Sequence, residues 1–193
     1  GSTWARVLQH RFSSKGELDG HSLGNLLITA LWEETDDLVE GLDWVARLLD
    51  AKGKVLPLCI EPLEIYAEVL TSAGQTQQVR GQVQVATTPH IIQSIGLAPK
   101  NPAVCEQAVA AVRHADFVVL GPGSWYTSVL THFQVPQMAQ ALHETTAARV
   151  LVINLKPQSG ETEGYSVCRY LEVLAKSYPD FRLDVVLADI DHV

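Results

Sequence analysis

Residues 116–124 read Asp-Phe-Val-Val-Leu-Gly-Pro-Gly-Ser, an apolar run that ends in a glycine-rich turn. The run is too short for a helix, and unbroken apolar residues are typical of a strand that is buried on both faces. Two later segments, 149–155 and 181–189, repeat this pattern, and helical stretches separate the three. Short buried strands that alternate with helices predict a parallel sheet covered by helices.

The stretches between and before these strands carry helix signals. Pro102 and Pro136 each stand near the first turn of a predicted helix, where the missing N–H costs nothing. Residues 38–51 place apolar side chains at a spacing of 3.6, with Gly53 as the predicted stop. Predicted helices cover residues 4–12, 23–31, 38–51, 102–115, 135–147 and 162–178.

The region before residue 100 departs from the helix–strand alternation. Residues 54–58 read as a strand, and residues 63–88 alternate apolar and polar side chains with a period near two, which predicts a β-meander. We therefore predict an α/β fold, a Rossmann-like three-layer α/β/α domain over 1–193 with a mainly parallel sheet and a β-rich insertion at 63–88. Because the chain stops as a strand finishes, we expect this domain to be incomplete at both ends.

Composition excludes several classes of protein. Apolar residues make up 47% and charged residues 19% of the 193, as in ordinary folded domains. The net charge of −8 argues against nucleic-acid binding, because phosphate backbones need a basic surface. No apolar run reaches the roughly 18 residues of a membrane span, and three widely spaced cysteines fit reduced thiols, so we expect a cytoplasmic protein without membrane insertion.

The glycine loop, Gly121–Ser124, is the leading candidate for a ligand site. Ligands of open parallel sheets bind at the carboxyl ends of the strands, and the glycines let a phosphate approach the backbone closely. Ser124, Thr127 and Ser128 add hydroxyl groups that can donate hydrogen bonds. The loop matches neither the dinucleotide fingerprint nor the Walker A pattern, and the alternative interpretation is a tight turn capped by Ser124.

Polar residues also follow the other two predicted strands. Asn154 comes at the end of the second strand and suits a base or sugar, and Gly160 with Glu161 lies just beyond. Taken by themselves, these residues favour the alternative, an ordinary helix entrance with Ser159 or Thr162 as the N-cap. Asp189 and Asp191 stand at the end of the third strand, where two carboxylates suit a ribose or a divalent ion. Solvated charges at a strand end explain them equally well.

A separate candidate lies near the start of the chain. His21 and Asn25 are spaced i, i+4, so they share one face of a helix that begins near residue 22. Gly24 between them lets a backbone or a ligand approach. The competing interpretation is a histidine that caps the helix. None of the other histidines shows metal-ligand spacing, and no nucleophile stands out, which favours a binding protein over an enzyme.

Four blocks in this order resemble one family, the CofD/YvcK family. They are Gly-His-Ser-Leu-Gly-Asn-Leu-Leu at 20–27, Leu-Gly-Pro-Gly-Ser-Trp-Tyr-Thr-Ser-Val-Leu at 120–130, Asn-Leu at 154–155 and Gly-Glu-Thr at 160–162. The family contains 2-phospho-L-lactate transferases and bacterial gluconeogenesis factors, and the Ser-Trp-Tyr-Thr-Ser loop is similar to the gluconeogenesis-factor branch.

The resemblance implies a regulatory protein that binds a nucleotide or a nucleotide-sugar, with UDP-sugars as the leading ligands. It also implies a role in growth on gluconeogenic carbon sources and in cell shape, and a homodimer. The alternative is a transferase of a phospholactyl-type group, which would use Mg²⁺. The family's acidic Asp-Asp-Gly-Gly-Ser block is missing here, so no metal ligands are assigned. The implied ligand-binding residues are His21, Gly24, Asn25, Gly121, Pro122, Gly123, Ser124, Thr127, Ser128, Asn154, Gly160, Glu161 and Thr162.

Overall fold

A computed structural model describes residues 3–158 and 161–189 of the chain. The chain divides into two compact units, Gly1–Ile60 and Glu61–Val193, which are described one after the other. The prediction of a single domain over 1–193 stays a prediction.

The first unit contains three helices, as the apolar patterns predict. They are α1 (Thr3–Leu8), α2 (Leu23–Thr35) and α3 (Leu38–Leu48). Helix α2 begins after Ser22, whose hydroxyl accepts a hydrogen bond from the backbone of Asn25 at 3.3 Å, a standard N-cap. Helix α3 ends at Leu48, so the prediction that Gly53 stops it is wrong.

The second unit opens with an antiparallel sheet. Its strands are β1 (Glu64–Leu70), β2 (Thr76–Arg80) and β3 (Ile91–Ala98), in the order β2-β1-β3. The predicted meander is present and extends ten residues beyond its expected end, through β3. Val83 and Val85 were expected in a strand but lie in a short helix, α4 (Gln82–Ala86), which follows a left-handed turn at Gly81, φ +92°. A positive φ ends a strand.

The strand predicted at 54–58 is not formed, and the segment is irregular. Pro57 has no N–H to donate to a ladder, and Val55 is 60% exposed. A parallel or antiparallel strand needs a neighbour to pair with, and among the described residues this segment belongs to neither sheet.

A parallel sheet follows, and it confirms the predicted α/β class. Strands β4 (Phe117–Leu120), β5 (Ala148–Val152) and β6 (Val185–Leu187) lie in the order β4-β5-β6. The helices around them are α5 (Glu106–Arg113), α6 (Pro136–Glu144) and α7 (Val167–Ser177). Helix α6 starts with its proline, as predicted, whereas α5 begins four residues after Pro102.

The core of this part includes side chains of the parallel sheet and of helix α6. Val118, Leu120 and Leu151 are at most 8% exposed, as are Met138 and Leu142 of α6. The guanidinium of the β5 residue Arg149 donates to three carbonyl groups at the end of α6, at 2.8–3.0 Å. Helix α6 is therefore fixed on the start of β5, and the opposite, carboxyl ends of β4 and β5 emerge side by side.

Candidate functional site

The candidate site is built where β4 and β5 end. Leu120 pairs with Leu151 in the parallel ladder, so the residues that follow these two strands leave the sheet as neighbours. After β4 comes the glycine loop, Gly121–Ser124, and after β5 comes Asn154. The sequence placed both at this edge, and the structure agrees.

Gly121 is a position that only glycine can fill. Its φ is +81°, which residues with a side chain rarely adopt. A Cβ atom built there would lie 2.6 Å from the carbonyl oxygen of Val152, the last residue of β5. The close approach of the two backbones therefore fixes where the loop leaves the sheet.

Asn154 holds the next part of the loop through two hydrogen bonds to one residue. The backbone N–H of Gly123 donates to Asn154 Oδ1 at 2.8 Å, and Asn154 Nδ2 donates to the carbonyl oxygen of Gly123 at 2.8 Å. This pairing copies the way a neighbouring strand would bind the loop. Asn154 therefore positions the loop from β5, and its side-chain amide is already used for that purpose.

Glu161 holds the end of the loop from a third direction. Its side chain is buried, with the residue 7% exposed. The Ser124 hydroxyl donates to Glu161 Oε1 at 2.6 Å and the Thr127 hydroxyl donates to the same oxygen at 3.2 Å. The backbone N–H of Tyr126 donates to Oε2 at 3.3 Å. A buried carboxylate needs such donors, and hydrogen bonds to a charged acceptor are the stronger kind.

A helical turn of unusual width follows the loop. Residues Trp125–Val129 form a π-helical turn, and Leu130–Gln134 continue as a 3₁₀ helix. The Ser124 hydroxyl accepts from the N–H of Thr127 at 3.2 Å, and the Ser124 carbonyl accepts from Val129 at 2.9 Å. Ser124 thus caps this turn, as the alternative interpretation of the loop as a capped tight turn predicted. Ser128 is exposed. Wide π-turns are frequent at functional sites.

Two tyrosines extend the buried network away from the loop. The hydroxyl groups of Tyr126 and Tyr165 lie 2.9 Å apart in a hydrogen bond. Burial raises the pKa of Tyr126 far above the ordinary tyrosine value, and the hydrogen bond to Tyr165 adds to that shift. Tyr126 therefore stays protonated and serves as a hydrogen-bonding wall of the site rather than as a base.

Thr162 lies fully buried beneath the segment that follows β5. Its hydroxyl accepts a hydrogen bond from the backbone of Gln158 at 2.9 Å. The N-cap of the next helix, α7, is Ser166, so the interpretation of Thr162 as that cap is wrong. Three further candidates from the sequence, Ser159, Gly160 and Asp191, lie outside the described residues.

His21, Gly24 and Asn25 lie in the first unit. His21 and Asn25 are both exposed, one just before helix α2 and one in its first turn. A Cβ atom on Gly24 would approach the carbonyl oxygen of Leu8 to 3.0 Å, so this glycine allows α1 to pack closely on α2. The helix is capped by Ser22 rather than by His21.

Two cavities open beside the buried network. One of about 510 Å³ is lined by residues 87–92 together with Glu161, Glu163 and Tyr165. Another of about 880 Å³ runs along residues 91–95 and one face of α7, and Tyr126 forms part of its wall. Neither is lined by Gly121–Ser124, so these residues form an open edge rather than the floor of either cavity.

The glycine loop contacts one buried carboxylate, that of Glu161. Glu161 lies beneath it, and the exposed Lys156 stands two residues beyond Asn154. Within residues 3–158 and 161–189, no three His, Cys, Asp or Glu side chains are grouped to hold a metal ion. Over the same residues, no helix is long and apolar enough to span a membrane.

Comparison with known proteins decides the family. The family model described as 2-phospho-L-lactate transferase CofD matches residues 1–193. The chain belongs to the CofD family. A member from Mycobacterium tuberculosis, described as "Putative gluconeogenesis factor", is 45% identical over 196 residues, which cover all of this chain and 57% of that protein. The "Gluconeogenesis factor" of Halalkalibacterium halodurans is 34% identical over 169 residues, 88% of this chain and 51% of that protein.

Solved structures support the same family. A UPF0052-family protein from Bacillus halodurans superimposes with a TM-score of 0.87 at 33% identity, covering 96% of this chain and 58% of that one. The predicted membership in the CofD family is therefore confirmed. This CofD-family chain spans little more than half the length of these relatives.

Sequence reasoning missed part of the network. No sequence pattern indicates that Tyr126 and Tyr165 form a hydrogen bond, because they lie 39 residues apart and neither belongs to a recognised motif. Glu161 was named for ligand binding, whereas here its carboxylate is occupied by the loop. Its ligand-binding role, like that of the other named residues, stays a prediction.

Proposed function

We propose that this chain binds the phosphate end of a nucleotide or nucleotide-sugar, with a UDP-sugar as the leading ligand, at Gly121–Ser124. The observation that carries the proposal is a glycine loop held rigidly at the carboxyl edge of a parallel sheet. Asn154 and Glu161 fix the loop from two sides. Open parallel sheets bind their ligands at this edge, and a rigid loop lowers the ordering cost of binding.

The free hydrogen-bond donors of the loop are backbone groups. The hydroxyls of Ser124 and Thr127 donate to Glu161, so a phosphate would compete with a buried carboxylate for them. The backbone N–H groups of Ser124 and Trp125 have no acceptor among the described residues. A phosphate therefore fits the backbone side of the loop, away from the Glu161 carboxylate.

The proposed cellular role rests on the descriptions of the relatives. Two relatives described as gluconeogenesis factors match all of this chain and 88% of it, at 45% and 34% identity. We infer a regulatory binding protein of this type, which supports growth on gluconeogenic carbon sources and maintenance of cell shape.

Calorimetric titration with UDP-N-acetylglucosamine tests the binding proposal. We expect saturable heat with the unaltered chain and at least tenfold weaker binding for Gly123→Val, whose side chain blocks the backbone side of the loop. Ser72→Ala, in the exposed β1–β2 turn, is the control and should bind as the unaltered chain does. Absence of heat at millimolar ligand, or equal affinity of the two variants, would refute the proposal.

A second candidate is transfer of a phospholactyl-type group from a nucleotide donor, favoured by the description of the matching family model. Such a reaction would rely on positioning and on Mg²⁺ rather than on a nucleophile. The described residues do not assemble a donor set for that ion, since no acidic cluster is present and Glu161 is occupied. Product formed from a guanylyl-activated phospholactate and a deazaflavin acceptor with Mg²⁺ would favour this candidate; strict absence of turnover would exclude it.

A further inference from the structure

One edge of the antiparallel sheet is open to a groove. Within the described residues, β3 stands at the end of the strand order β2-β1-β3, so one of its two edges has no neighbouring strand. The cavity of about 880 Å³ is lined by all five residues of 91–95. Successive side chains of a strand point to opposite faces of the sheet. A cavity that contacts five successive residues therefore runs along the edge of β3, and it is the free edge because the other one pairs with β1.

The free edge offers backbone groups that are not hydrogen-bonded. Apart from the ladder with β1, no backbone N–H or carbonyl group of residues 91–95 bonds to another part of the described chain. The ladder also contains a bulge, in which Gln93 is an extra residue opposite the step from Glu68 to Val69. The extra residue of a bulge is left unpaired. The edge thus presents donors and acceptors at strand spacing over about 17 Å.

The two edges of this sheet differ in how they are protected. Natural proteins keep edge strands from pairing with other chains by making them short, charged or covered. Strand β2 has five residues, mostly polar, and its Arg80 forms an ion pair with Glu64 at 2.9 Å. Strand β3 has eight residues, Ile-Ile-Gln-Ser-Ile-Gly-Leu-Ala, with no charge among them, and Ile91 is 66% exposed. The bulge is the one protective device in β3, and it limits a pairing partner to a short segment.

Helix α7 forms the other wall of the groove. Its lining residues Arg169, Glu172, Val173 and Lys176 are spaced i, i+3, i+4 and i+7, so they form one stripe of the helix. We name the space between residues 91–95 and this stripe the edge groove. Arg169 is paired with Glu172 at 3.1 Å, whereas Lys176 has no ion-pair partner in the part of the chain that the structure describes. The stripe therefore carries one uncompensated positive charge, on a chain whose net charge is −8.

We propose that the edge groove binds a short, extended, acidic peptide of a partner protein. The peptide adds to β3 as a further strand and places a carboxylate against Lys176. In this mode of recognition the main-chain hydrogen bonds supply affinity, and pockets for alternate side chains supply specificity. A second copy of this chain fits less well, because pairing through its own β3 would extend the sheet by three strands into the space that α7 occupies.

Selection from a phage-displayed library of random heptapeptides tests the proposal on this chain. We expect enriched sequences that alternate β-branched or aromatic residues with polar ones and that carry Asp or Glu at a fixed position. The most enriched sequence, made as a fluorescent synthetic peptide, should bind saturably in a polarisation assay. Absence of enrichment would overturn the proposal.

Methylation of the peptide backbone tests whether the peptide binds as a strand. Only every second amide of an added strand faces its neighbour. N-methylation of one alternate set of amides should therefore weaken binding at least tenfold, and methylation of the other set should weaken it much less. Equal affinity of the two methylated peptides would show that the peptide does not pair with β3.

Reversal of one charge tests the acidic preference. Lys176→Glu should weaken binding of the selected peptide at least tenfold, and replacing the acidic residue of the peptide by lysine should restore it. The control is Lys100→Glu, the same change at an exposed lysine that does not line the groove. Both sites are exposed, so circular dichroism should show both variants folded. Equal affinity of the two variants for the peptide would refute the role of Lys176 and with it the proposed acidic partner.

Hydrogen exchange measured by mass spectrometry locates the bound peptide. The peptide should slow exchange at least tenfold in the segment that contains residues 91–95, and β2 should exchange as it does without the peptide. Protection at Gly121–Ser124 instead of 91–95 would overturn the proposal. So would a dimer of this chain, detected by light scattering, that protects the same amides, because a second copy would then be the occupant.

Discussion

Replacing Glu161 by alanine tests whether one buried carboxylate holds the glycine loop. The residue is 7% exposed and accepts hydrogen bonds from the hydroxyls of Ser124 and Thr127 and from the backbone of Tyr126. In the alanine variant the two hydroxyls can still bond to each other, since they already lie in contact. The N–H of Tyr126 has no such substitute and is left without an acceptor in a buried place.

The expected loss follows from these contacts. A hydrogen bond to a charged group contributes about 1.5–3 kcal/mol, and an unsatisfied buried donor costs about 1–3 kcal/mol. Removing the cost of burying the carboxylate offsets part of this, because a buried charge is itself unfavourable. We therefore expect Glu161→Ala to lower the free energy of unfolding by about 3 kcal/mol, which for a chain of this size is a fall in Tm of roughly 6–12 °C.

Urea unfolding followed by circular dichroism measures this difference. Glu163→Ala is the matched control, an exposed glutamate two residues further on, and should change stability by less than about 0.5 kcal/mol. Glu161→Gln should lower the free energy of unfolding by an amount between those of the two alanine variants. Its amide oxygen still accepts from the hydroxyls, but its NH₂ group faces the N–H of Tyr126, so that two donors meet. If Glu161→Ala costs no more than Glu163→Ala, the carboxylate does not hold the loop and the reasoning fails.

Three further perturbations probe the same network. Gly121→Ala should cost about 3 kcal/mol in urea unfolding, because it adds a steric clash with a β5 carbonyl to the backbone strain, whereas Gly74→Ala, at φ +75° in open space, should cost only about 1 kcal/mol. Tyr126→Phe should make the free energy of unfolding fall less steeply as the pH rises. The pKa of Tyr126 is higher in the folded chain than its value of about 10 in the unfolded chain, so this tyrosine contributes full stability below pH 10 and progressively less above it. Urea midpoints measured between about pH 8 and 11 check this. Asn154→Asp keeps the acceptor for the Gly123 N–H but loses the donor to its carbonyl, and should cost about 1–2 kcal/mol by the same measurement.

The parallel part of the fold could be predicted because its signals are local. The apolar run at 117–120 and the proline at 136 each determine their element through neighbouring residues alone, and both elements formed as expected. The errors fall where a distant partner decides. Residues 54–58 have strand-like composition but no strand to pair with, and Val83 alternates like a strand residue but follows the left-handed turn at Gly81.

The candidate site likewise has features that the sequence predicts and features that it does not. The positions of the glycine loop and of Asn154 follow from the rule that strand ends meet at one edge, and the sequence placed both correctly. The partners of the side chains do not follow from any rule of spacing. Ser124 and Glu161 are 37 residues apart, and only the folded chain shows that the hydroxyl donates to the carboxylate.

That hydrogen bond changes what the loop can offer a ligand. From the sequence, Ser124 and Thr127 are simple hydroxyl donors to a phosphate. In the folded chain both donate to a buried anion, and a second anion at the same hydroxyls would be repelled by it. The contribution of these side chains is therefore to the shape of the loop, and the backbone of that loop is left to meet the ligand. On this argument Ser124→Ala weakens binding only as far as it loosens the turn, whereas a side chain added at Gly123 obstructs the binding surface directly.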